Sequence, residues 1–191
     1  EGLRIPVLKL FERGTVNSAI FSLIEHNVRL PEAVLGDLRA QLGAVTIGER
    51  GFIDMARRYG SSTLRSYTQE MLNYAERVAR AEIQDLTDGT YEFTSYIEVD
   101  HIDENPVQVH VTLTIDGDEA LVDFAGSTNQ VAAGINSPLP FSKAAAYVAI
   151  RMMFRHPTPN CEGFYRPISV CAPASSILNP TLPAPCGARG I

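Results

Sequence analysis

Apolar residues recur every three or four positions between residues 15 and 86, which is the spacing of one helix face. Three groups follow this spacing: Ile20, Leu23, Ile24 and Val28; Val34, Leu38, Leu42 and Val45; and Leu64, Met71, Tyr74, Ala75 and Val78. Glycine and serines at residues 60–62 separate the second group from the third. The pattern predicts three helices in residues 15–86, with residues 1–14 as an extended lead-in.

From residue 87 onward, the helical spacing gives way to strict alternation of apolar and polar residues, which is typical of half-buried strands. Two stretches alternate in this way, with apolar members Tyr91, Phe93, Ile97 and Val99 in the first and Val107, Val109, Val111, Leu113 and Ile115 in the second. Asp116-Gly117 then supplies a strong hairpin signal. Residues 119–125 are therefore predicted to return as a third, antiparallel strand.

The rest of the chain adds one helix and one strand. Residues 141–154 are mostly apolar but too few to cross a bilayer, so they predict a core helix. Residues 168–171 predict a short final strand. Helices followed by antiparallel strands place the chain in the α+β class. We predict an N-terminal helical region over residues 15–86 and an antiparallel sheet with a further core helix over residues 87–191.

Composition narrows the class of protein. The 191 residues carry a formal net charge of -6 and a pI near 5.2, which argues against a nucleic-acid partner. No apolar run approaches the roughly 18 residues of a membrane helix, so we predict no membrane contact. Three cysteines without a CxxC spacing favour a reduced, cytoplasmic setting. Because the chain begins without methionine and ends on PAPCGARGI, we expect a piece of a longer subunit, the alternative being a processed chain.

Residues 121–140, LVDFAGSTNQVAAGINSPLP, join a predicted strand to a predicted helix through glycines and side-chain amides. The stretch lacks the Gly-Lys-Ser/Thr ending of a phosphate-binding loop, and the residues around Ser127 are not a GxSxG nucleophile elbow. Ser127, Gln130 and Asn136 offer donors and acceptors together, which suits an uncharged, amide-like small molecule. We predict that these three residues bind substrate. The alternative is a loop whose Asn, Gly and Ser serve only its turns.

A second polar group consists of Arg29, Asp37 and Gln41. Asp37 and Gln41 are four residues apart on one face of the second predicted helix, beside its apolar stripe. A carboxylate and an amide so near a core need partners, and Arg29 is the natural partner for Asp37. Two interpretations stay open. Either Arg29 and Asp37 form an ion pair that holds two helices together, or all three residues contact the substrate.

The histidines predict no metal site. None of the four has an i, i+4 partner or a neighbouring carboxylate cluster of the kind that binds zinc: His26, His101, His110 and His156. His101 lies in an acidic turn at residues 100–104, where a solvated loop is favoured over a weak cation site. His110 falls out of step with the apolar face of its strand and is predicted to face solvent. No catalytic residue, metal ligand or cofactor is assigned to this chain.

Several short motifs occur together in one order along nearly all 191 residues. They are Gly2-Leu3-Arg4-Ile5-Pro6, Lys9-Leu10, Asn27-Val28-Arg29, Gly36-Asp37-Leu38-Arg39-Ala40-Gln41, Val122-Asp123-Phe124-Ala125-Gly126-Ser127 with Gln130, and Asn179-Pro180 followed by Pro183-Ala184-Pro185. In this order the chain resembles the middle section of the hydantoinase B/5-oxoprolinase family. That family includes N-methylhydantoinase B subunits and the related large subunits of acetone and acetophenone carboxylases.

The resemblance implies an ATP-dependent hydrolase that opens a cyclic amide, either a hydantoin or 5-oxoproline. It also implies a hetero-oligomer, in which a hydantoinase A-type partner binds ATP and activates the carbonyl by phosphorylation. Family members carry a region rich in His and Asp ahead of the LRIP-like stretch, and in the carboxylase relatives that region holds a metal. Nothing in residues 1–191 matches it. A divalent metal is therefore expected outside these residues, and the fragment alone is expected to be inactive.

Three functions remain open at this point. The first is a part of a cyclic-amide hydrolase, the second a subunit of an ATP-dependent ketone carboxylase, and the third a non-catalytic assembly module. A longer parent chain with a His/Asp metal region would separate the first two from the third. A substrate assay of the assembled complex with ATP, with and without bicarbonate, would separate the first from the second.

Overall fold

The computed structural model describes residues 5–98 and 106–187, and the chain divides into two compact units, residues 2–66 and 67–191. The first unit starts with an antiparallel hairpin of two short strands, β1 (Phe11–Glu12) and β2 (Thr15–Val16). Arg13 and Gly14 in its turn both have positive φ, 49° and 81°, as a tight two-residue hairpin requires. The sequence did not predict this hairpin, because strands of two residues are too short to show alternation.

Two helices complete the core of the first unit. Asn17 caps α1 (Ser18–Glu25) by accepting the N–H of Ile20 at 3.4 Å, and a proline opens α2 (Pro31–Tyr59). Their buried residues form one small cluster: Ile20, Phe21, Ile24 and Leu35. Helix α3 (Ser61–Gln84) starts in this unit and continues into the second. The three helices confirm the number and order that the apolar spacing predicts.

The inward faces of these helices are only partly as predicted. Val45 is 71% exposed, Met71 50% and Tyr74 53%, although each continues the apolar spacing of its helix. Ala75 is buried as predicted, and the other buried residues of α3 are Ala79, Glu82 and Ile83. Spacing locates the apolar stripe of a helix, but it does not reveal how far along the stripe a neighbour covers it.

The second unit contains a four-stranded sheet in the order β3-β4-β5-β6. Its elements are β3 (Gly89–Ile97), β4 (Val107–Asp116), β5 (Glu119–Asp123), α4 (Leu139–Met153), α5 (Glu162–Tyr165) and β6 (Ile168–Cys171). Strands β3, β4 and β5 are antiparallel and β4 turns into β5 at the predicted Asp116-Gly117, which confirms this part of the prediction. Strand β6, however, pairs parallel to β5, so the sheet is mixed. The two helices between β5 and β6 carry the chain back to the end from which β5 started, as parallel pairing requires.

The three helices of this unit pack on one face of the sheet. The core cluster contains Ala79, Ile83, Ile115, Ala120, Val122, Ala146, Ile150, Phe164, Ile168 and Val170. Gly163 lets α5 contact the main chain of α3, because a Cβ at this position would overlap the carbonyl oxygen of Leu72. Odd-numbered residues of β4 face this core, so its even-numbered residues face the opposite side. Within the described ranges, no helix has both the length and the apolar character needed to cross a bilayer.

Candidate functional site

Two loops leave the same end of the sheet. Because β5 and β6 run parallel, with Asp123 opposite Cys171, the segments that follow these two residues start side by side. We call residues 124–138 and 172–187 the paired loops. In sheets with parallel strands and helical crossovers, ligands bind beyond the carboxyl ends of the strands, where such loops meet. The paired loops are therefore the candidate site.

Main-chain hydrogen bonds hold the paired loops against each other. The N–H of Gln130 donates to the carbonyl of Ser175 at 2.8 Å, and the N–H of Ile177 donates to the carbonyl of Thr128 at 2.9 Å. Further along, the N–H of Ser137 donates to the carbonyl of Ile177 at 2.7 Å. The first two bonds form an isolated antiparallel bridge between Asn129 and Ser176, unlike the parallel pairing of β5 with β6. Together the three bonds join the two loops into one connected surface.

Asn136 is completely buried, and its side chain holds both loops. Its Oδ1 accepts the N–H of Val131 at 2.9 Å, and its Nδ2 contacts the carbonyls of Val131 at 2.8 Å and Ala133 at 2.9 Å. The same Nδ2 contacts the carbonyl of Pro185 in the second loop at 2.8 Å. The two N–H groups of one amide are thus shared among three carbonyl oxygens. Asn136 fixes the shape of the first loop and ties it to the second.

Gln130 makes a second tie between the loops. Its Nε2 donates to the carbonyl of Thr181 at 3.1 Å, and its Oε1 accepts the N–H of Thr181 at 2.7 Å. The side-chain amide therefore pairs with Thr181 as a main-chain amide does in a sheet. The Thr181 hydroxyl also lies 2.9 Å from the hydroxyl of Ser175.

Ser127 and Thr128 attach the first loop to β4. The Ser127 hydroxyl accepts the N–H of His110 at 3.0 Å and donates to the carbonyl of His110 at 3.0 Å. The Thr128 hydroxyl accepts the N–H of Gln108 at 2.8 Å, and the Thr128 N–H donates to the Gln108 carbonyl at 2.9 Å. The partners of the Ser127 hydroxyl are main-chain groups rather than a general base, which is not the arrangement of an activated nucleophile.

His110 lies on the face of β4 opposite the helices, as predicted, but it is half-buried there rather than fully exposed to solvent. Its Nδ1 lies 2.8 Å from the hydroxyl of Thr94, and its Nε2 lies 3.3 Å from that of Thr112. Gly126 packs on the ring, since a Cβ at Gly126 would lie 3.2 Å from Cδ2 of His110. The φ of Gly126 is 91°, which also favours glycine. Alternation along β4 cannot reveal this contact, because it comes from a loop that returns over the strand.

Sequence reasoning missed the second loop as part of the site. Thr181 is held by Gln130, and Asn179 braces the same loop by donating from Nδ2 to the carbonyl of Ala172 at 2.9 Å. The Ser142 hydroxyl of α4 donates to the carbonyl of Leu178 at 2.8 Å, and this hydrogen bond anchors the second loop to the helix. The only available signal was the Asn179-Pro180 motif and the prolines after it, which predicted a family but not a position in space.

The paired loops form a surface whose main-chain groups named above are hydrogen-bonded within the protein. Asn129 is exposed on the first loop, and its side-chain amide has no hydrogen-bond partner in the part of the chain that the structure describes. Ser127, Gln130 and Asn136 have their side chains engaged with the protein's own main chain. A neutral amide ligand both donates and accepts hydrogen bonds, and the side-chain amide of Asn129 can accept and donate in return. Substrate contact by the three engaged side chains stays a prediction.

Arg29, Asp37 and Gln41 belong to the first unit, and all three are exposed. Asp37 and Gln41 share one face of α2, as predicted, but this face points away from the buried Leu35. Across residues 5–98 and 106–187, no ion pair joins Arg29 to Asp37. The interpretation of these two residues as a helix-locking pair is therefore not supported. Their contact with substrate stays a prediction.

The described residues contain no group of three His, Cys, Asp or Glu side chains that could hold a metal ion. The acidic turn around His101, considered above as a weak cation site, lies outside the described residues.

Comparison with known proteins identifies relatives along the whole chain. Residues 1–191 match the family model described as Hydantoinase B/oxoprolinase. The chain is 36% identical to the beta chain of the caprolactamase of Pseudomonas jessenii, over 97% of this chain and 32% of that protein. It is 32% identical to a protein of Pseudomonas sp. (strain NS671) named as the B component of a D-/L-hydantoinase, over 99% of this chain and 34% of that protein. The chain thus spans about a third of the length of these relatives.

Solved structures share its fold. The crystal structure of the ATP-dependent caprolactamase from Pseudomonas jessenii superimposes with a TM-score of 0.86 at 35% identity, over 98% of this chain and 32% of that chain. A nucleotide-free acetone carboxylase superimposes with a TM-score of 0.87 over 99% of this chain and 27% of that chain, but at 15% identity, which shows the fold alone. With the family model matched from end to end and the caprolactamase similar in both sequence and fold, this chain belongs to the hydantoinase B/oxoprolinase family.

Proposed function

We propose that this chain is part of an ATP-dependent amidohydrolase subunit that opens a cyclic amide. The observation that carries the proposal is the 36% identity to a caprolactamase subunit over 97% of the chain. Caprolactam, hydantoins and 5-oxoproline share one chemical feature, a ring in which an N–H is bonded to a carbonyl. That ring amide is the group that the subunit would have to recognise.

The reaction class explains why ATP is needed. Resonance makes the carbonyl carbon of an amide a poor electrophile, and phosphorylation of its oxygen would remove that resonance. Water then adds to the activated carbon, and the ring C–N bond breaks as a proton passes to the leaving nitrogen. A second water releases phosphate from the resulting acyl phosphate and leaves the carboxylate. The role left for a subunit of this family is to hold the activated ring and orient its carbonyl and its leaving nitrogen.

In this proposal the paired loops hold the ring amide. The exposed side-chain amide of Asn129 provides a donor and an acceptor on this surface. Gln130 and Asn136 keep that surface in shape, and they would contact the ring directly only by giving up hydrogen bonds to Thr181 and Pro185. Arg29, Asp37 and Gln41 are further proposed contacts because they are exposed polar residues of two motifs that resemble those of the family.

We assign ATP to a hydantoinase A-type partner subunit, which makes the functional protein a hetero-oligomer. The support for a partner is that both relatives are named as one component of an enzyme with several different chains. A divalent metal, as the resemblance implies, would be held outside residues 1–191. The odd number of cysteines, three, supports a reduced cytoplasmic location.

The test is an assay of the complex that co-purifies with the tagged chain from its own cells. We expect ADP release that depends on caprolactam, a hydantoin or 5-oxoproline and does not depend on bicarbonate. The product should be the ring-opened acid, an amino acid from a lactam or an N-carbamoyl amino acid from a hydantoin. ADP release that requires a ketone and bicarbonate would assign the chain to a carboxylase instead. A complex that no amide or ketone stimulates would identify an assembly module and overturn the proposal.

A further inference from the structure

The hydroxyl of Ser176, in the second of the paired loops, is buried without a hydrogen-bond partner. Ser176 is only 2% exposed. Within the described ranges, two buried side-chain oxygens lack a partner, Oγ of Ser176 and Oγ1 of Thr158. Burial of a hydroxyl is unfavourable unless a new hydrogen bond replaces those that it made to water. An unpaired hydroxyl inside the candidate site therefore requires an explanation.

This hydroxyl is not what holds the second loop in shape. The N–H of Ser176 donates to the carbonyl of Pro173 at 3.2 Å, and the carbonyl of Ser176 accepts the N–H of Asn179 at 3.1 Å. The preceding residue, Ser175, has a φ of 62°, in the left-handed region that residues other than glycine rarely adopt. Backbone strain of this kind is concentrated at binding and catalytic sites. The main chain fixes the position of Ser176 and leaves its hydroxyl available.

Asn129 of the first loop lies directly opposite Ser176. The two residues form an isolated antiparallel bridge, in which the hydrogen bonds come from the residues on either side of each. Asn129 and Ser176 are therefore a non-hydrogen-bonded pair, with Cα atoms about 4.5 Å apart and both side chains on one face. Asn129 is exposed, and no described residue bonds to its side-chain amide. An unpaired hydroxyl and an unpaired amide thus lie next to each other.

We propose that Ser176 and Asn129 together bind the ring amide of the substrate, an inference that rests on the proposed function. Ring closure forces an amide to be cis, so its N–H and its carbonyl oxygen lie along the same edge of the ring. The exposed side chain of Asn129 turns about its own bonds, and its Oδ1 accepts the ring N–H. This turn uncovers the hydroxyl of Ser176, which donates to the ring carbonyl.

This assignment uses side chains that have hydrogen bonds to spare. Gln130 and Asn136 keep their bonds to Thr181 and Pro185, and the paired loops stay joined while the ring is bound. Neither Ser176 nor Asn129 carries a charge, so the pair fits the neutral amide edge that caprolactam, hydantoins and 5-oxoproline have in common.

The test uses the assembled complex and the cyclic amide that stimulates its ADP release most: caprolactam, hydantoin or 5-oxoproline. Calorimetry without ATP gives the dissociation constant of that amide, and the ADP assay gives its KM. We expect Ser176→Ala and Asn129→Ala each to raise both values at least about tenfold, because each variant loses one hydrogen bond to the ring. The melting temperature of Ser176→Ala should not fall, since its hydroxyl has no partner to lose.

Thr158→Val is the matched control. It removes the other unpaired hydroxyl, which lies beyond the far end of α4 from the paired loops. The dissociation constant and KM of this variant should equal those of the wild type. A structural cost or benefit of deleting a buried hydroxyl would appear in both variants, whereas a loss of substrate affinity should appear in Ser176→Ala alone.

A second comparison identifies the group that Asn129 binds. The same cyclic amide methylated on its amide nitrogen lacks the ring N–H, so the wild-type complex should bind it at least about tenfold more weakly. Asn129→Ala should distinguish the two ligands by less than about threefold, because the acceptor of the N–H is already gone. Ser176→Ala should keep the wild-type preference.

The outcomes separate this inference from the proposed function. A complex that no cyclic amide stimulates would overturn both. Amide-stimulated ADP release with both variants within about twofold of the wild-type dissociation constant would overturn this inference alone, and Ser176 would then hold an ordered water only. A Ser176→Ala complex that loses affinity together with thermal stability would also overturn it, because the hydroxyl would then be structural.

Discussion

The carboxylate of Glu82 on α3 lies 2.6 Å from Nδ1 of His156, which follows α4. The same carboxylate accepts the N–H of Arg155 at 2.7 Å, and Glu82 is only 6% exposed. Burial acts to raise the pKa of Glu82, but the hydrogen bonds from the His156 ring and from the main chain of Arg155 and His156 outweigh it. The pKa of Glu82 therefore lies below its ordinary value of 4.5.

We expect Glu82→Gln to lower the free energy of unfolding by about 1–3 kcal/mol at pH 7, because it weakens a buried hydrogen-bond acceptor. A pKa that is lower in the folded than in the unfolded state stabilises the fold above pH 4.5, and this stabilisation is lost as the pH falls through the folded value. The difference between wild type and variant should therefore shrink below pH 4.5 in urea denaturation. Glu98→Gln, at an exposed residue, is the control and should change little at either pH.

Asn136→Ala should lower the free energy of unfolding by about 3–5 kcal/mol, since it opens a cavity at a fully buried side chain and leaves three partly buried carbonyls and one N–H without their partner. Asn129→Ala removes an exposed amide from the same loop and should change the stability by less than about 0.5 kcal/mol. Chemical denaturation measures the free energy of unfolding of both variants. Equal stability of the two would mean that Asn136 does not hold the paired loops, and a loss of turnover alone would support direct substrate contact.

Ser127→Ala should leave the assembled complex active while lowering its stability by about 1–2 kcal/mol, because the Ser127 hydroxyl bridges main-chain groups of His110. The measurements are turnover of the complex and a thermal melt. Ser169→Ala, at an exposed serine on β6, should change neither. A folded Ser127→Ala complex without activity would revive the hypothesis that Ser127 is a nucleophile.

Asp37→Ala should change the free energy of unfolding by less than about 0.5 kcal/mol, because the side chain is exposed and no described residue pairs with it. A buried ion pair with Arg29 would have predicted a loss of about 3–5 kcal/mol. Urea denaturation distinguishes the small change expected for an exposed side chain from the large loss expected for a buried ion pair. If turnover of the complex falls while stability is unchanged, Asp37 contacts the substrate or the partner subunit.

Gly163→Ala should destabilise the chain by about 3 kcal/mol or more, because the added methyl group would overlap the main chain of α3 at Leu72. The matched control is Gly51→Ala in α2, where a Cβ meets nothing within 4 Å. That substitution should stabilise the helix by up to about 1 kcal/mol. Thermal melts of the two variants should therefore move in opposite directions. Both moving downward would indicate that Gly51 is also packed closely.

What the sequence could predict depended on how local the signal was. The helices and the Asp116-Gly117 hairpin follow from spacing and turn chemistry within a few residues, so they could be located. The parallel pairing of β6 depends on where α4 and α5 carry the chain, which no local pattern encodes.

The same distinction between local signals and long-range contacts applies to the candidate site. The amide-rich loop was visible in the sequence, but the difference between the buried Asn136 and the exposed Asn129 was not, because both are asparagines in a polar stretch. The contact of Gly126 with His110 and the tie from Gln130 to Thr181 join residues that are distant along the chain. Only the folded structure shows them.

The parallel pairing of β5 with β6 also sets an order for folding. Strands β4 and β5 are joined by a two-residue turn and can pair early, whereas Asp123 meets Cys171 only after the chain between them has closed a loop of about 50 residues. The ties between the paired loops cannot form before that closure. We expect the candidate site to be the last part of this unit to gain protection from hydrogen exchange during refolding, well after the β4–β5 hairpin.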